Sequence, residues 1–462
     1  MVFSSILFLF IYLPIVLAVY YFIPSRFRNL WLFIVNLVFY GWGEPVYIIL
    51  MIFSITLNYF AGRIIAKYRV KSHSKARFAL TVNTIINLSL LVFFKYFDLF
   101  ANTLNSIIGT DIPILGLTLP IGISFYTFQT MSYPIDVYRG DTEEQKNYIS
   151  FGTFVALFPQ LIAGPIVRYK DVASQLNLRP LNAEQFSSGV CRFTVGLAKK
   201  VLLANNIGGL WDVYSSAGNL SIFGSWLGAI AFSLQLYFDF SGYSDMAIGL
   251  GRMLGFEFLE NFNYPYISKS VTEFWRRWHI SLGTWFRDYL YIPLGGNRRG
   301  LSRQLLNILI VWALTGLWHG ANWTFLLWGL YYAVFLILEK AFLLKALNKV
   351  PFLAHVYAVI VAVLGWMIFQ LDSVESVMKY WGAMFGANSV FATAQDLFYG
   401  KSYAVILIIS VFAATPILKN LFLRIPQRIR SFLTPTMIAA CLIVSTAYLV
   451  DATYNPFLYF RF

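Results

Sequence analysis

Apolar runs of roughly twenty residues recur along this sequence, each long enough to cross a bilayer core as a helix. Candidate spans fall at 3–23, 30–42, 45–62, 78–100, 120–137, 150–164, 222–238, 305–318, 322–338, 352–370, 403–418 and 432–450. Those at 30–42 and 150–164 are too short to cross alone and read as re-entrant or tilted segments. Backbone in lipid must satisfy its own hydrogen bonds, which leaves helices or a closed barrel. The runs do not follow the ten-residue alternation of a barrel. Composition points the same way: 58% of the residues are hydrophobic and 12% charged, against about a quarter charged in a soluble domain. The expected fold is all-α and polytopic, with about ten to twelve membrane helices in one integral membrane domain, 1–462.

The first run, MVFSSILFLFIYLPIVLAVYYFI, has no charged n-region and no small-residue cleavage site, so it reads as an uncleaved span. Cys191 and Cys441 lie far apart among apolar neighbours and suggest neither a disulfide framework nor a metal site. The net charge of +14 fits a positive-inside bias and anionic lipid better than nucleic acid. It also suits an anionic cytoplasmic cosubstrate. The basic stretches 63–77, 264–303 and 419–430 are expected to face the cytoplasm.

One apolar stretch breaks in an unusual place. LTGLWHGANWTFLLWG, 314–329, contains His319, one of four histidines. A helix from Arg303 to His319 would rise roughly 24 Å, and one from 322 back to Glu339–Lys340 roughly 27 Å. The segment 305–340 is therefore expected to be a helical hairpin turning at His319-Gly320-Ala321-Asn322, within the membrane. Irregular backbone there is stable only inside protein or along a cavity. Its imidazole is either bonded into the bundle or working as a base near neutral pH.

Two more constellations carry chemistry. SVTEFWRRWHISLGTWFRDYLYIPLGGNRRG, 270–300, contains His279 among Trp275, Trp278 and Trp285 and Arg276, Arg277 and Arg287. These residues read either as an interfacial helix with an aromatic belt or as a cationic entrance for a phosphorylated carrier. QLYFDFSGYSD, 235–245, places Gln235, Asp239, Tyr243 and Asp245 in an apolar span. They form either a network joining helices or the lining of a funnel toward His319, which Asn322 would also line. LFPQLIAGPIVRYKD, 157–171, is expected to break at Gly164-Pro165 into a half-helix and a surface segment.

Five stretches in order now resemble the membrane-bound O-acyltransferase (MBOAT) family: LPIGISFYTFQTMSYPIDVYRG (119–140), FPQLIAGPIVRY (158–169), QLYFDFSGYSDMAIGLGRMLGFEFLENFNYPY (235–266), FWRRWHISLGTWFRDYLYIPLGGNR (274–298) and GLWHGANWTFLLWG (316–329). Within it they look most like the polysaccharide O-acetylation branch, which includes alginate O-acetyltransferase membrane subunits. The ending NPFLYFRF, 455–462, is similar to that branch too. The resemblance implies a ring of helices around a central tunnel, in a bacterial cytoplasmic membrane. It implies that His319 is catalytic and that His279 holds the second signature position. It implies acetyl-CoA as acyl donor, with no permanently bound cofactor and no metal. It further implies an extracytoplasmic SGNH-hydrolase-like acceptor that passes the acetyl group to an exopolysaccharide or cell-wall polymer.

Arg276, Arg277 and Arg287 with Trp278 are then the expected donor-binding residues. A transporter or flippase with a proton-relay histidine is a rival from another class, since broken helices suit transport too. D-alanyl transfer to teichoic acid is a rival within the class. Two candidate outer-face docking segments are 101–118 and 372–402, the second with exposed-looking aromatics at Tyr380, Trp381, Phe385 and Phe391.

Overall fold

A computed structural model describes residues 1–179, 181–451 and 457–458, and every regular element among them is a helix. Most of the ending 455–462 lies outside the described residues. Six helices are long and apolar enough to cross a membrane: Ile48–Arg69, His73–Ile108, Leu301–His319, Trp323–Leu347, Pro351–Gln370 and Gln427–Asp451. Ala394–Ser402 and Ala404–Ala413, bent by 55°, make a seventh if they form one span. The remaining expected spans are shorter helices such as Phe8–Phe22 and Arg28–Gly43. Ile222–Met253 is the exception, 32 residues long but carrying Gln235, Asp239 and Asp245.

The chain packs as two compact units, Met1–Phe193 with Ser244–Leu259, and Thr194–Tyr243 with Glu260–Phe462. In the first, Ile48–Arg69 and His73–Ile108 are joined by buried amides. Asn58 Nδ2 donates to Asn87 Oδ1 at 3.0 Å, and Asn83 Nδ2 donates to Asn58 Oδ1 at 3.0 Å. Such bonds hold helices together where lipid supplies no hydrophobic drive between them. The break at Gly164-Pro165 is present, but residues 157–167 are buried, not a surface segment. Side-chain amides satisfy the irregular backbone there: Asn36 Oδ1 accepts from the Phe158 N–H at 3.1 Å, and Gln160 Nε2 donates to the Phe154 carbonyl at 2.7 Å.

The second unit contains the hairpin read from the sequence. Leu301–His319 and Trp323–Leu338 are joined by a three-residue turn. The first helix has, by length and composition, what it needs to cross a bilayer alone, so His319 ends a full-length span. The two helices touch at Gly316 and Gly329: a Cβ on either would overlap a backbone carbonyl of the other helix, Phe325 or Trp312. Asn322 starts the second helix, its Oδ1 accepting from the Thr324 N–H at 3.1 Å. Its Nδ2 donates to the Asp372 carbonyl at 2.9 Å. Asn322 is thus a cap and a strut. In 372–402, Tyr380 is buried rather than exposed, because its hydroxyl donates to the Ser225 carbonyl at 3.0 Å. Trp381 is half-buried against Tyr331, while Phe385 and Phe391 are exposed.

Candidate active site

The RWH stretch is a helix, a sharp bend and a second helix. Val271–Arg277 begins at Ser270, whose Oγ accepts from the Glu273 N–H at 3.0 Å. Its first two N–H groups, from Val271 and Thr272, donate to the buried Glu339 carboxylate at 2.6 and 2.9 Å. A carboxylate is stabilised there by the unpaired N–H groups and positive end of a helix. Tyr357 OH also donates to it, at 3.2 Å. After Trp278 the backbone turns left-handed at His279, φ 45° and ψ 54°, and Ile280–Phe286 follows. Two backbone bonds hold the bend against the preceding loop: Asn263 N–H to the Arg277 carbonyl and Ile280 N–H to the Asn261 carbonyl, both 2.9 Å.

His279 is 2% exposed. Its Nδ1 lies 3.0 Å from Asn261 Oδ1, and its ring meets Phe240 edge-on with centroids 4.8 Å apart. Burial pushes its pKa down to about 3, because desolvation disfavours the imidazolium. It also lines a cavity of about 740 Å³, a volume in the usual range for a small-molecule site. Arg276, Arg287 and Lys340 line that cavity, with Thr272, Thr284, Asn297 and Gln304 as polar neighbours. Trp275, Trp278 and Trp312 give it an aromatic wall. No carboxylate lines it among the described residues, so its electrostatics favour an anion with an apolar body.

The cavity follows one face of Leu301–His319, through Ile308, Val311, Trp312 and Thr315. His319 lies one turn beyond Thr315 and does not itself line the cavity. It is 7% exposed and sits against Trp328 and Phe369, with centroids 4.9 and 5.3 Å away. The indole of Trp318 contacts both histidines, at 5.0 Å to His319 and 6.2 Å to His279. One aromatic side chain therefore bridges the two signature imidazoles.

The other expected site residues fall elsewhere. Arg277 turns to Glu273, Nε to Oε1 at 2.9 Å, and to the Asn263 carbonyl at 3.1 Å. It braces the bend and does not line the cavity. Gln235 packs against Gly208, where a Cβ would overlap its amide. Asp239 forms a buried ion pair with Lys200 and accepts from the Leu458 N–H at 3.0 Å. Tyr243 packs at a tilt against Phe457, with ring centroids 4.5 Å apart. Gln235, Asp239 and Tyr243 do not line the cavity; Asp239 and Tyr243 join helices and the chain end.

Sequence reasoning passed over four residues the structure brings forward. Lys340 looked like a topology marker, as did Glu339. Asn261 was one polar residue in a long motif. Lys200 belonged to LAKKVLL, whose charged pair in an apolar run was the available signal.

Residues 139–378 match the family model described as "MBOAT, membrane-bound O-acyltransferase family". A protein of Azotobacter vinelandii named "probable alginate O-acetylase" is 45% identical over 83% of this chain and 78% of its own length. One of the same name from Pseudomonas putida is 40% identical over the full length of both. A protein of Helicobacter pylori named "peptidoglycan O-acetyltransferase" is 35% identical over 84% of this chain and 81% of its own.

Proposed function

The chain belongs to the membrane-bound O-acyltransferase family, and on that premise we propose that it moves acetyl groups from cytoplasmic acetyl-CoA toward an extracytoplasmic polysaccharide. It is a multi-pass membrane O-acyltransferase; the donor, acceptor and membrane are the proposal. The supporting observation is the cavity, which sets three cations and an aromatic wall along the helix that ends at His319. The nucleotide phosphates pair with Arg276, Arg287 and Lys340, guanidinium being suited to bidentate phosphate contacts. The thin thioester arm lies along Ile308, Val311 and Thr315 toward His319.

At His319 an acceptor hydroxyl attacks the thioester carbonyl carbon while the imidazole takes the hydroxyl proton. The C–S bond then breaks, the ester leaves, and the thiolate regains a proton as free CoA. The acceptor is a hydroxyl of an extracytoplasmic SGNH-hydrolase-like protein, which carries the acetyl group to alginate or a related polymer. The membrane is the bacterial inner membrane, where acetyl-CoA and polymer lie on opposite sides.

The test is thiol release from acetyl-CoA by the purified protein in detergent. Charge removal at Arg276 or Arg287 is expected to raise KM for acetyl-CoA while sparing acetyl-pantetheine, which lacks the nucleotide. Equal defects with both donors would assign these arginines to lipid anchoring. No thiol release above that of a His319→Gln variant would sink the acetyl-CoA reading.

A further inference from the structure

The geometry around His279 decides which ring nitrogen carries its proton. Asn261 Oδ1 accepts from the Ser281 backbone N–H at 3.2 Å and from the Ser281 hydroxyl at 2.9 Å. A backbone N–H can only donate, so it fixes the Asn261 amide with its carbonyl toward His279. Nδ1 of His279 lies 3.0 Å from that same oxygen. Two lone-pair atoms at this distance repel, so Nδ1 must carry the hydrogen. The Ser281 hydroxyl also lies 3.5 Å from Nδ1, but its proton is already directed to Asn261. The left-handed backbone at His279 is unfavourable for a residue with a Cβ. The bond from Ile280 to the Asn261 carbonyl helps hold it there.

We infer that Asn261 is a positioning residue that holds His279 as the Nδ1–H tautomer, so that Nε2 carries a lone pair rather than a hydrogen-bond donor. A ring in this state accepts from a substrate N–H, O–H or S–H. It cannot stabilise the negative oxygen of a thioester intermediate, which needs a donor. Oxyanion stabilisation therefore falls to another group. Four of its neighbours favour a neutral ring. Phe240, Trp318, Asn261 and Ser281 are uncharged. The cations lining the cavity, Arg276, Arg287 and Lys340, all oppose a further positive charge.

The tautomer is read directly by nitrogen NMR of the full chain labelled with ¹⁵N-histidine in lipid nanodiscs. There are four histidines, and the signals lost in His279→Gln identify this one. The expected spectrum has a protonated Nδ1 and an unprotonated Nε2 at pH 7, unchanged at pH 5. A protonated Nε2 at pH 7, in either the other tautomer or the imidazolium, overturns the inference. In Asn261→Leu the ring should lose its single tautomer and kcat for thiol release should fall about 10²-fold, the low end of what a positioned base contributes. Asn261→Asp keeps the acceptor and should retain Nδ1–H and most of the rate.

Wild-type turnover in Asn261→Leu, or an unchanged tautomer there, refutes the positioning role. If Asn261→Leu does not insert, the wild-type spectrum and Asn261→Asp still decide. The kinetic arm rests on the transferase reading and the spectrum does not. Nδ1–H without thiol release would therefore sink that reading and leave the tautomer standing.

Discussion

Glutamine matches histidine in reach and hydrogen-bonding capacity but has no basic nitrogen near neutral pH, which makes His319→Gln the sharpest single substitution here. It should fold within the Trp318–Trp328–Phe369 pocket and lose acetyl transfer by about 10²–10⁴-fold, the usual contribution of a general base. Near-normal turnover in membrane-inserted His319→Gln would leave His319 as a packing residue. His279 makes a second prediction through stability. Its folded pKa of about 3 lies below the ordinary 6.5. Below pH 6.5 the unfolded chain therefore binds a proton that the folded chain refuses. The group's contribution is complete above 6.5 and is lost progressively as pH falls toward 3. Lowering pH from 7.5 to 5.5 should reduce the Tm of the wild type in detergent more than that of His279→Gln. The other three histidines are common to both proteins. Equal losses would mean that His279 is not held neutral by burial.

Among the elements, the hairpin Leu301–Leu338 was the most legible. Two apolar runs broken by Gly-Ala-Asn, with basic residues before the first, fixed its limits to within a few residues. Its closest contact is also its most sensitive point. Gly316→Ala puts a methyl group into the Phe325 carbonyl, and Gly329→Ala puts one into the Trp312 carbonyl. Each should cost about 1–3 kcal/mol, as overpacking does, read as lower Tm and less folded protein. Gly218→Ala, where a Cβ meets nothing within 4 Å, is the control. Equal behaviour of all three would mean that the helices do not cross at these glycines. What stayed illegible were polar partners set by tertiary contact. Glu339 and Lys340 are adjacent in sequence, yet one carboxylate caps Val271–Arg277 and the other side chain lines the cavity. Periodicity cannot separate two such neighbours. Arg276 and Arg277 present the same difficulty, because only the fold shows which of them Glu273 takes. Asp239 looked equally suited to a funnel or a brace until Lys200, far away in sequence, completed the pair.

At the scale of the whole molecule, charge and span length decide from which side each substrate arrives. Arg298, Arg299 and Arg303 precede or begin the helix that His319 ends, so positive-inside placement puts His319 toward the far face. The turn after it is tied to residue 372 through Asn322, so the segment leading into Val374–Met384 shares that face. A polymer chain is too bulky to enter a site where His319 is 7% exposed, whereas one hydroxyl of a small protruding segment can. The proposed acceptor protein should therefore dock beside this turn. Phe385 and Phe391, 67% and 72% exposed, are aromatics there available to a partner, as is Phe398 of the same 372–402 segment at 64%; Tyr380 and Trp381 are engaged inside the fold. Phe385→Asp combined with Phe391→Asp should abolish co-purification with the acceptor protein and leave acetyl-CoA hydrolysis within about twofold, since exposed substitutions usually perturb a fold little. Retained co-purification would move the docking surface elsewhere. Full polymer acetylation by the purified membrane protein, with no second protein present, would remove the need for a relay altogether.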